Sequence, residues 1–206
     1  MKVLEYKVKM DSLVDRELLH SFLTFFFEKP LSTSVKTSFS GKVIRLYTDK
    51  AIDTADFSFS TKRHGSVKAK VSLVGETNPN VKKGSRIAVS GVVAYSKTLT
   101  KPLKINGRKV NKICPVDARA KDNLADLENL TAFVNRNLGI SFDPENIKVS
   151  PAEPEFIGDK KRVYDAFYLE VEGVVDNPQQ TIALYTSSVG SSKSYGFGSM
   201  TVGCKE

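Results

Sequence analysis

Residues 2–28 read KVLEYKVKMDSLVDRELLHSFLTFFFE, and they introduce a pattern that recurs later in the chain. Apolar and charged residues alternate as far as Met10, which predicts a strand with one buried face. After Ser12 the apolar residues recur at helical spacing until Pro30 ends the pattern. A core-facing helix is therefore predicted over about residues 13–28, with Ser12 as its N-cap.

The remaining elements repeat this order of strand, helix and strands. Strands are predicted at residues 34–39, 42–48, 56–60 and 66–74, and residues 75–84 have the composition of a linker. The second half adds a strand at 86–94, a helix between Asp122 and Gly139, a strand at 163–175, and a helix that is capped by Asn177 and ends within residues 189–200. The order predicts an α+β protein with two tandem split β-α-β domains, residues 1–83 and 84–206.

Composition limits the classes of partner. The chain has 206 residues and a formal net charge of +8, which favours a polyanion as its partner. Its two cysteines, Cys114 and Cys204, fit no metal-binding spacing and indicate reduced thiols. No signal peptide and no apolar run of membrane-spanning length is recognisable, so a cytoplasmic protein without membrane association is expected.

Residues 189–200, here called the glycine-rich loop, read VGSSKSYGFGSM near the C-terminus. Glycine allows a backbone to approach another backbone or a phosphate closely, and a lysine suits an anion. The same residues could simply end a helix, with Gly190 at the C′ position. Composition alone does not choose between a helix cap and a phosphate-binding loop.

A basic arm lies early in the second half. Six cations fall within sixteen residues that contain no Asp or Glu: Lys97, Lys101, Lys104, Arg108, Lys109 and Lys112. Asn106-Gly107 between them predicts a hairpin turn. Because six like charges repel one another, a phosphate backbone is the favoured explanation, and a solvated hairpin with incidental lysines is the alternative.

His20 is the one candidate for acid–base catalysis. It lies where the apolar and polar arcs of the predicted helix meet, so its ring is expected to be half exposed. The alternative is a histidine that only forms local hydrogen bonds. His64 is interpreted as a turn residue, or at most a phosphate contact.

The sequence contains no paired carboxylates at site-like spacing, no Walker loop and no recognisable zinc or magnesium motif. If the chain is a nuclease, the remaining route is attack by the RNA 2′-hydroxyl on the adjacent phosphate. That route needs a base, an acid and donors for the phosphate. No metal and no small-molecule cofactor are expected.

The glycine-rich loop and the segment around His20, DRELLHSFL, resemble the CRISPR repeat-processing endoribonucleases of the RAMP superfamily, above all the type I-E, Cascade-associated variety. The resemblance implies two ferredoxin-like (RRM-like) domains. It further implies metal-independent cleavage of precursor CRISPR RNA at the repeat hairpin, leaving a 5′-hydroxyl and a 2′,3′-cyclic phosphate. The product-bound enzyme would remain a subunit of the CRISPR surveillance complex.

The resemblance also implies roles for individual residues. His20 and Lys193 would be catalytic, with Lys193 and loop N–H groups stabilising the phosphate. The loop positions implied to bind RNA are Gly190, Ser194, Gly196 and Gly198. The arm residues Lys97, Lys101, Lys104, Arg108, Lys109 and Lys112 would grip the RNA stem.

Two departures from the family pattern keep alternatives open. Ser188 stands where the loop motif has its first glycine, and Phe22 and Leu23 stand where a tyrosine often accompanies the histidine. Tyr195 is a possible substitute for that tyrosine. The alternatives are a non-catalytic RNA-binding subunit of the same superfamily and a basic scaffold that contacts another protein.

Overall fold

The computed structural model describes residues 1–27, 35–94, 97–105, 108–113, 127–152, 155–157, 162–164 and 166–204. The chain divides into two compact units. Unit 1 comprises Met1–Val81 and Ile182–Met200, and unit 2 comprises Lys82–Thr181 and Thr201–Glu206. The glycine-rich loop therefore belongs to unit 1, whereas the sequence grouped it with residues 84–206. The predicted domain boundary at residues 83 and 84 stays a prediction.

Unit 1 is an antiparallel sheet with one long helix. Its elements are β1 (Val3–Met10), α1 (Arg16–Phe26), β2 (Lys36–Ser40), β3 (Val43–Thr48), β4 (Asp56–Thr61) and β5 (Gly65–Thr77). The strand order is β2-β3-β1-β5-β4. The first four of these strands follow the ferredoxin-like order, and β4 extends the sheet as the hairpin partner of β5. Residues 49–55 between β3 and β4 form no second helix.

Unit 2 repeats that strand order. The elements are β6 (Arg86–Ala94), α2 (Leu127–Asn137), β9 (Ile140–Ser141), β10 (Ile147–Pro151), β13 (Ala166–Val175), α3 (Pro178–Ala183) and β14 (Thr201–Cys204). The sheet runs β10-β13-β6-β14, with β9 also paired to β13. Outside the sheet lie two hairpins, β7 (Lys97–Ile105) with β8 (Arg108–Ile113) and β11 (Glu155–Ile157) with β12 (Arg162–Tyr164).

Each unit buries one face of its first helix against its sheet. In unit 1 the fully buried helix residues are Leu18, Leu19, Phe22 and Leu23, and in unit 2 they include Leu130 and Val134. Burial of each such side chain contributes about 1.5–3 kcal/mol. This packing fixes which helix residues face away from the sheet. His20 lies on α1 at the border between the buried side and the exposed side.

Helix α1 begins later than the sequence predicts. Its N-cap is Asp15, whose carboxylate accepts a hydrogen bond from the Leu18 N–H at 2.8 Å. Ser12 is not the cap because residues 11–14 are held against the β2–β3 turn, where the Val14 N–H donates to the Gly41 carbonyl at 2.8 Å. The helix nevertheless presents the predicted apolar face.

The helix before the glycine-rich loop is shorter than expected. Helix α3 begins at Pro178, and the predicted cap is confirmed, with the Asn177 side chain accepting from the Gln180 N–H at 3.2 Å. It ends at Ala183, so Gly190 is not its C′ residue. Instead, Ser187 forms a bridge with Val35 beside strand β2.

No helix in the described part of the chain has both the length and the apolar character needed to cross a membrane.

Candidate active site

The structure brings His20 and the glycine-rich loop together. The His20 Nδ1 lies 2.9 Å from the Ser194 hydroxyl oxygen. The Tyr195 ring stacks on the imidazole, with 4.1 Å between ring centroids and 15° between the planes. Two residues that are 174 positions or more from His20 in sequence therefore hold its ring from the edge and from one face.

Ser194 and Tyr195 are positioned by a short 3-10 turn over Lys193–Tyr195. Within it, the Gly196 N–H donates to the Lys193 carbonyl at 2.8 Å and the Tyr195 N–H donates to the Ser192 carbonyl at 3.0 Å. These two N–H groups are thus engaged inside the protein. Ser194 is only 9% exposed, which makes its hydroxyl a partner of the histidine more than of solvent.

Arg16 ties the same turn to helix α1. Its guanidinium donates to the Tyr195 carbonyl at 2.8 Å and lies 4.0 Å from the centroid of the Phe197 ring. Arg16 and His20 are one helical turn apart, so both project from the same side of α1. No role was predicted for Arg16 from sequence, where its i, i+4 spacing from His20 was the available signal.

The glycines of the loop allow close packing within the protein. A Cβ on Gly198 would lie 1.7 Å from the Val189 carbonyl oxygen, and one on Gly196 would lie 2.9 Å from a Leu19 methyl group. Both residues, like Gly190, have positive φ angles, between 76° and 81°. The contacts seen at Gly196 and Gly198 are with protein, and their predicted contacts with RNA stay predictions.

Ser188 has a role that glycine could not fill. It is 2% exposed, and its hydroxyl lies 3.2 Å from that of Ser199. Ser199 in turn accepts from the Thr37 N–H at 3.2 Å and donates to the Thr37 carbonyl. The serine pair thereby closes the base of the loop and satisfies the backbone of β2 at Thr37.

A second histidine supports the start of α1. The His64 Nε2 lies 3.3 Å from a carboxylate oxygen of Asp15, and Arg63 lies 3.5 Å from the same oxygen. The turn between β4 and β5 thus lies beside the N-cap of the helix that carries His20, although the buried His64 Nε2 has no hydrogen-bond partner among the described residues. Sequence alone predicts a turn residue at His64, and its contact with Asp15 is not predictable because no local pattern relates the two positions.

Other predicted site residues are placed less completely. Lys193 is half-buried in the loop. The basic arm forms the predicted antiparallel hairpin, β7 with β8, and pairs Lys104 with Lys109. The turn at Asn106-Gly107 lies outside the described residues. Among the described residues, no cluster of three or more His, Cys, Asp and Glu side chains is arranged to hold a metal.

Fold and site together define a protein of the tandem ferredoxin-like class with a histidine against a glycine-rich loop. No protein-family model matches the chain, and no curated protein sequence matches it. Solved structures do match. The chain is similar over 98% of its length to 98% of the CRISPR-associated protein Cas6e from Escherichia coli K-12, with 15% identity and a TM-score of 0.60.

Two further similar structures contain RNA. One is the CRISPR endoribonuclease Cse3 bound to a 19-nucleotide RNA, at 16% identity and a TM-score of 0.59 over 98% of this chain and all of that chain. The other is Thermus thermophilus Cse3 bound to an RNA representing a pre-cleavage complex, at 13% identity and a TM-score of 0.55, with 98% and 100% of the two chains covered. These matches confirm the tandem ferredoxin-like fold, and they confirm the family resemblance at the level of the fold.

Proposed function

We propose that the chain is a metal-independent endoribonuclease that cleaves precursor CRISPR RNA within the repeat hairpin. The observation that carries this proposal is the contact of His20 with Ser194 and Tyr195, which joins the two segments that resemble the family. Fold similarity to RNA-bound CRISPR endoribonucleases supports it.

The reaction would be an internal transesterification of RNA. The ribose 2′-oxygen forms a bond to the adjacent phosphorus while the bond from phosphorus to the 5′-oxygen breaks. The products are a 2′,3′-cyclic phosphate and a 5′-hydroxyl; the 2′-hydroxyl loses one proton and the leaving 5′-oxygen gains one. DNA is inert in this reaction because it lacks the 2′-hydroxyl.

In this proposal His20 transfers one of those protons, as general base or general acid. Ser194 at Nδ1 and the Tyr195 ring hold the imidazole in one orientation, so that proton transfer takes place at Nε2. Lys193 stabilises the charge that develops on the phosphate. Because the N–H groups of Tyr195 and Gly196 are engaged within the loop, Lys193 bears more of this task than the family resemblance alone implied.

The remaining RNA contacts are proposed from sequence and charge. The arm residues Lys97, Lys101, Lys104, Arg108, Lys109 and Lys112 bind the stem of the hairpin on β7 and β8. Gly190, Ser194, Gly196 and Gly198 shape the loop beside the scissile phosphate. The protein then stays bound to its product in the cytoplasm as a subunit of the CRISPR surveillance complex, as the sequence resemblance implies.

The test is cleavage of a labelled repeat hairpin in the presence of EDTA. His20→Ala should lower the rate about 10²- to 10⁴-fold, the usual contribution of a general acid or base. His64→Ala removes the other histidine and serves as the matched control; because His64 lies beside the N-cap of α1 but outside the site, its rate should be near that of the wild type once any unfolded fraction is subtracted. Cleavage by His20→Ala at the wild-type rate contradicts the catalytic assignment, and a requirement for magnesium contradicts the mechanism.

A non-catalytic RNA-binding subunit of the same superfamily is the second candidate. It is favoured by the absence of a tyrosine at positions 22 and 23, where the structure has the fully buried Phe22 and Leu23. This candidate predicts that the wild-type protein binds the hairpin with salt-dependent affinity and leaves it intact on a denaturing gel.

A further inference from the structure

The unit 1 sheet has a second face, opposite α1, that the proposed reaction does not use. Strand alternation places the core residues of β1 and β3 toward the helix and their neighbours on the other side. We call that other side the open face. Its charged residues come from all five strands: Glu5, Lys7, Lys9, Lys36, Arg45, Asp56, Lys68 and Lys70.

The cations of the open face oppose one another directly. In the strand register, Lys7 lies across from Arg45 and Lys9 lies across from Lys70. Like charges at such positions destabilise a sheet, by a few tenths of a kcal/mol to about 1 kcal/mol a pair. Two like-charged pairs side by side therefore indicate a polyanion that neutralises them when it binds.

Carboxylates of the protein compensate only part of this charge. Glu5 pairs with Arg45, and Asp56 lies 3.9 Å from Lys70. Within the described ranges, the structure joins none of Lys7, Lys9 and Lys68 to a carboxylate through an ion pair. An excess of positive charge remains near the middle of the sheet.

The shape and remaining composition of the open face suit RNA better than a protein. Serines on its outer strands, Ser38, Ser40 and Ser58, are exposed among the cations and can donate to phosphate oxygens. A concavity of about 300 Å³ is lined by Lys7, Arg45 and the two serines of β2. The core of a protein interface is instead poor in charge and rich in apolar and aromatic side chains.

Strand β2 connects the open face to the candidate active site. Phe39, on the helix side of β2, lies near Gly196 and 5.6 Å from the Arg16 guanidinium. Lys36, on the opposite side of the same strand, lies 5.4 Å from the Tyr47 ring and 5.9 Å from the Tyr185 ring. An RNA strand that leaves the glycine-rich loop would therefore reach the open face by crossing a single β-strand, β2, at the edge of the sheet. One β-strand is about 5 Å wide.

We propose that the open face binds single-stranded RNA that flanks the repeat hairpin. The identity of this RNA rests on the proposed function. Lys7, Lys9, Lys36, Arg45, Lys68 and Lys70 contact its phosphates, and Tyr47 offers an aromatic ring beside them for a base. The flank thus adds affinity to that of the hairpin without taking part in the reaction.

The test compares three ligands: the hairpin alone, the hairpin with about eight unpaired uridines at its 5′ end, and the same extension at its 3′ end. A 2′-deoxy substitution at the scissile site prevents cleavage in all three. For the wild-type protein, one extension should raise the affinity at least tenfold at low salt. Equal affinity for all three ligands overturns the proposal.

The open-face variant is Lys7→Ala/Lys9→Ala/Lys68→Ala, and the matched control is Lys2→Ala/Lys50→Ala/Lys62→Ala, which removes the same charge elsewhere in unit 1. The open-face variant should lose the gain from the extension, bind the bare hairpin as before and show a dependence of log affinity on log salt about two units shallower. The control should keep the gain. If both variants lose the gain in affinity equally, the extension is held only by long-range electrostatic attraction to the protein, and the open face is not a binding site.

The outcome is separable from that of the proposed function. If the wild type fails to cleave an unmodified hairpin but still gains affinity from the extension, the reaction is wrong and the open face stands. If cleavage occurs and no extension adds affinity, the open face is wrong. A third outcome also overturns the proposal. If the wild type binds an acidic protein or anionic vesicles, and the open-face variant loses that binding while its RNA affinity is unchanged, the face belongs to a different partner.

Discussion

Each unit has a buried hydroxyl that joins segments distant in sequence, Thr181 within α3 of unit 2 and Ser194 in the 3-10 turn of unit 1, but the two hydroxyls are used differently. In unit 2, Thr181 donates its hydroxyl to backbone carbonyls, with the Leu138 oxygen 2.9 Å away. In unit 1, the Ser194 hydroxyl meets the imidazole of His20. The first contact satisfies a helix end, and the second orients a titratable side chain. The comparison shows that one architecture holds a structural junction in one unit and a candidate catalytic junction in the other.

The largest expected effects come from the glycines at the two junctions. Gly198→Ala should destabilise the protein by about 3 kcal/mol or more, because its Cβ would lie 1.7 Å from the Val189 oxygen at a positive φ. Gly139→Ala, with its Cβ 2.7 Å from the Asn177 oxygen, should cost less. Urea unfolding measures both.

Cleavage by the folded fraction separates the same two variants. Gly198→Ala should also slow cleavage, because the loop that holds Ser194 and Tyr195 is displaced. Gly139→Ala should cleave normally once the unfolded fraction is subtracted. Normal cleavage by Gly198→Ala would mean that the loop geometry is not needed for the reaction.

Removal of the Thr181 hydroxyl should mainly lower stability, whereas removal of the Ser194 hydroxyl should mainly lower the cleavage rate. Thr181→Val should cost about 1–3 kcal/mol of stability, since the Leu138 and Gly139 carbonyls lose a buried donor, and should leave the cleavage rate unchanged. Ser194→Ala should cost under about 1 kcal/mol and slow cleavage about tenfold.

The pH–rate profile distinguishes positioning from mere packing at Ser194. In Ser194→Ala the whole profile should fall in height, because the hydroxyl no longer holds the imidazole in one tautomer and orientation, and Ser194→Thr should restore it in part. An unchanged profile would place Ser194 outside the reaction.

Tyr195 offers a finer test of the candidate catalytic junction. If only its ring supports His20, Tyr195→Phe should cleave at nearly the wild-type rate and Tyr195→Ala about tenfold more slowly. If its hydroxyl replaces the tyrosine that the family carries on the first helix, both variants should be slow. Single-turnover rates at saturating protein separate the two outcomes.

The smallest expected effect concerns Lys36 at the edge of the open face. Burial beside Tyr47 and Tyr185 lowers the pKa of Lys36 from 10.5 to about 8. Because the unfolded chain then binds more protons between pH 8 and 10.5, stability rises with pH across that window. Lys36→Met should be about 1 kcal/mol more stable than wild type at pH 7, after allowance for partial exposure and the ring contacts.

Urea midpoints at pH 7 and pH 10.5 check this sign, since the advantage of Lys36→Met should shrink toward zero at the higher pH. Lys50→Met, at an exposed turn, is the control and should show no such trend. A constant advantage at both pH values would show that the gain comes from packing and not from the desolvated charge.

Much of the fold follows from patterns along the chain. Alternation and helical spacing predicted the strands of unit 1, the face of α1 and the cap at Asn177, because these depend on neighbours a few residues away. The N-cap of α1 and the end of α3 were predicted wrongly. In both cases a distant strand or turn competes for the backbone, at Gly41 for the first and at Val35 for the second.

The candidate site divides in the same way. The sequence by itself identified His20, the glycine-rich loop and the basic arm, because residue type and spacing mark each of them locally. Only the tertiary structure showed that Ser194 and Tyr195 meet His20, and that Ser188 and Ser199 close the loop on β2. The physical reason is that these contacts join residues from opposite ends of the chain, whose distance is set by the packing of unit 1 and not by any periodicity.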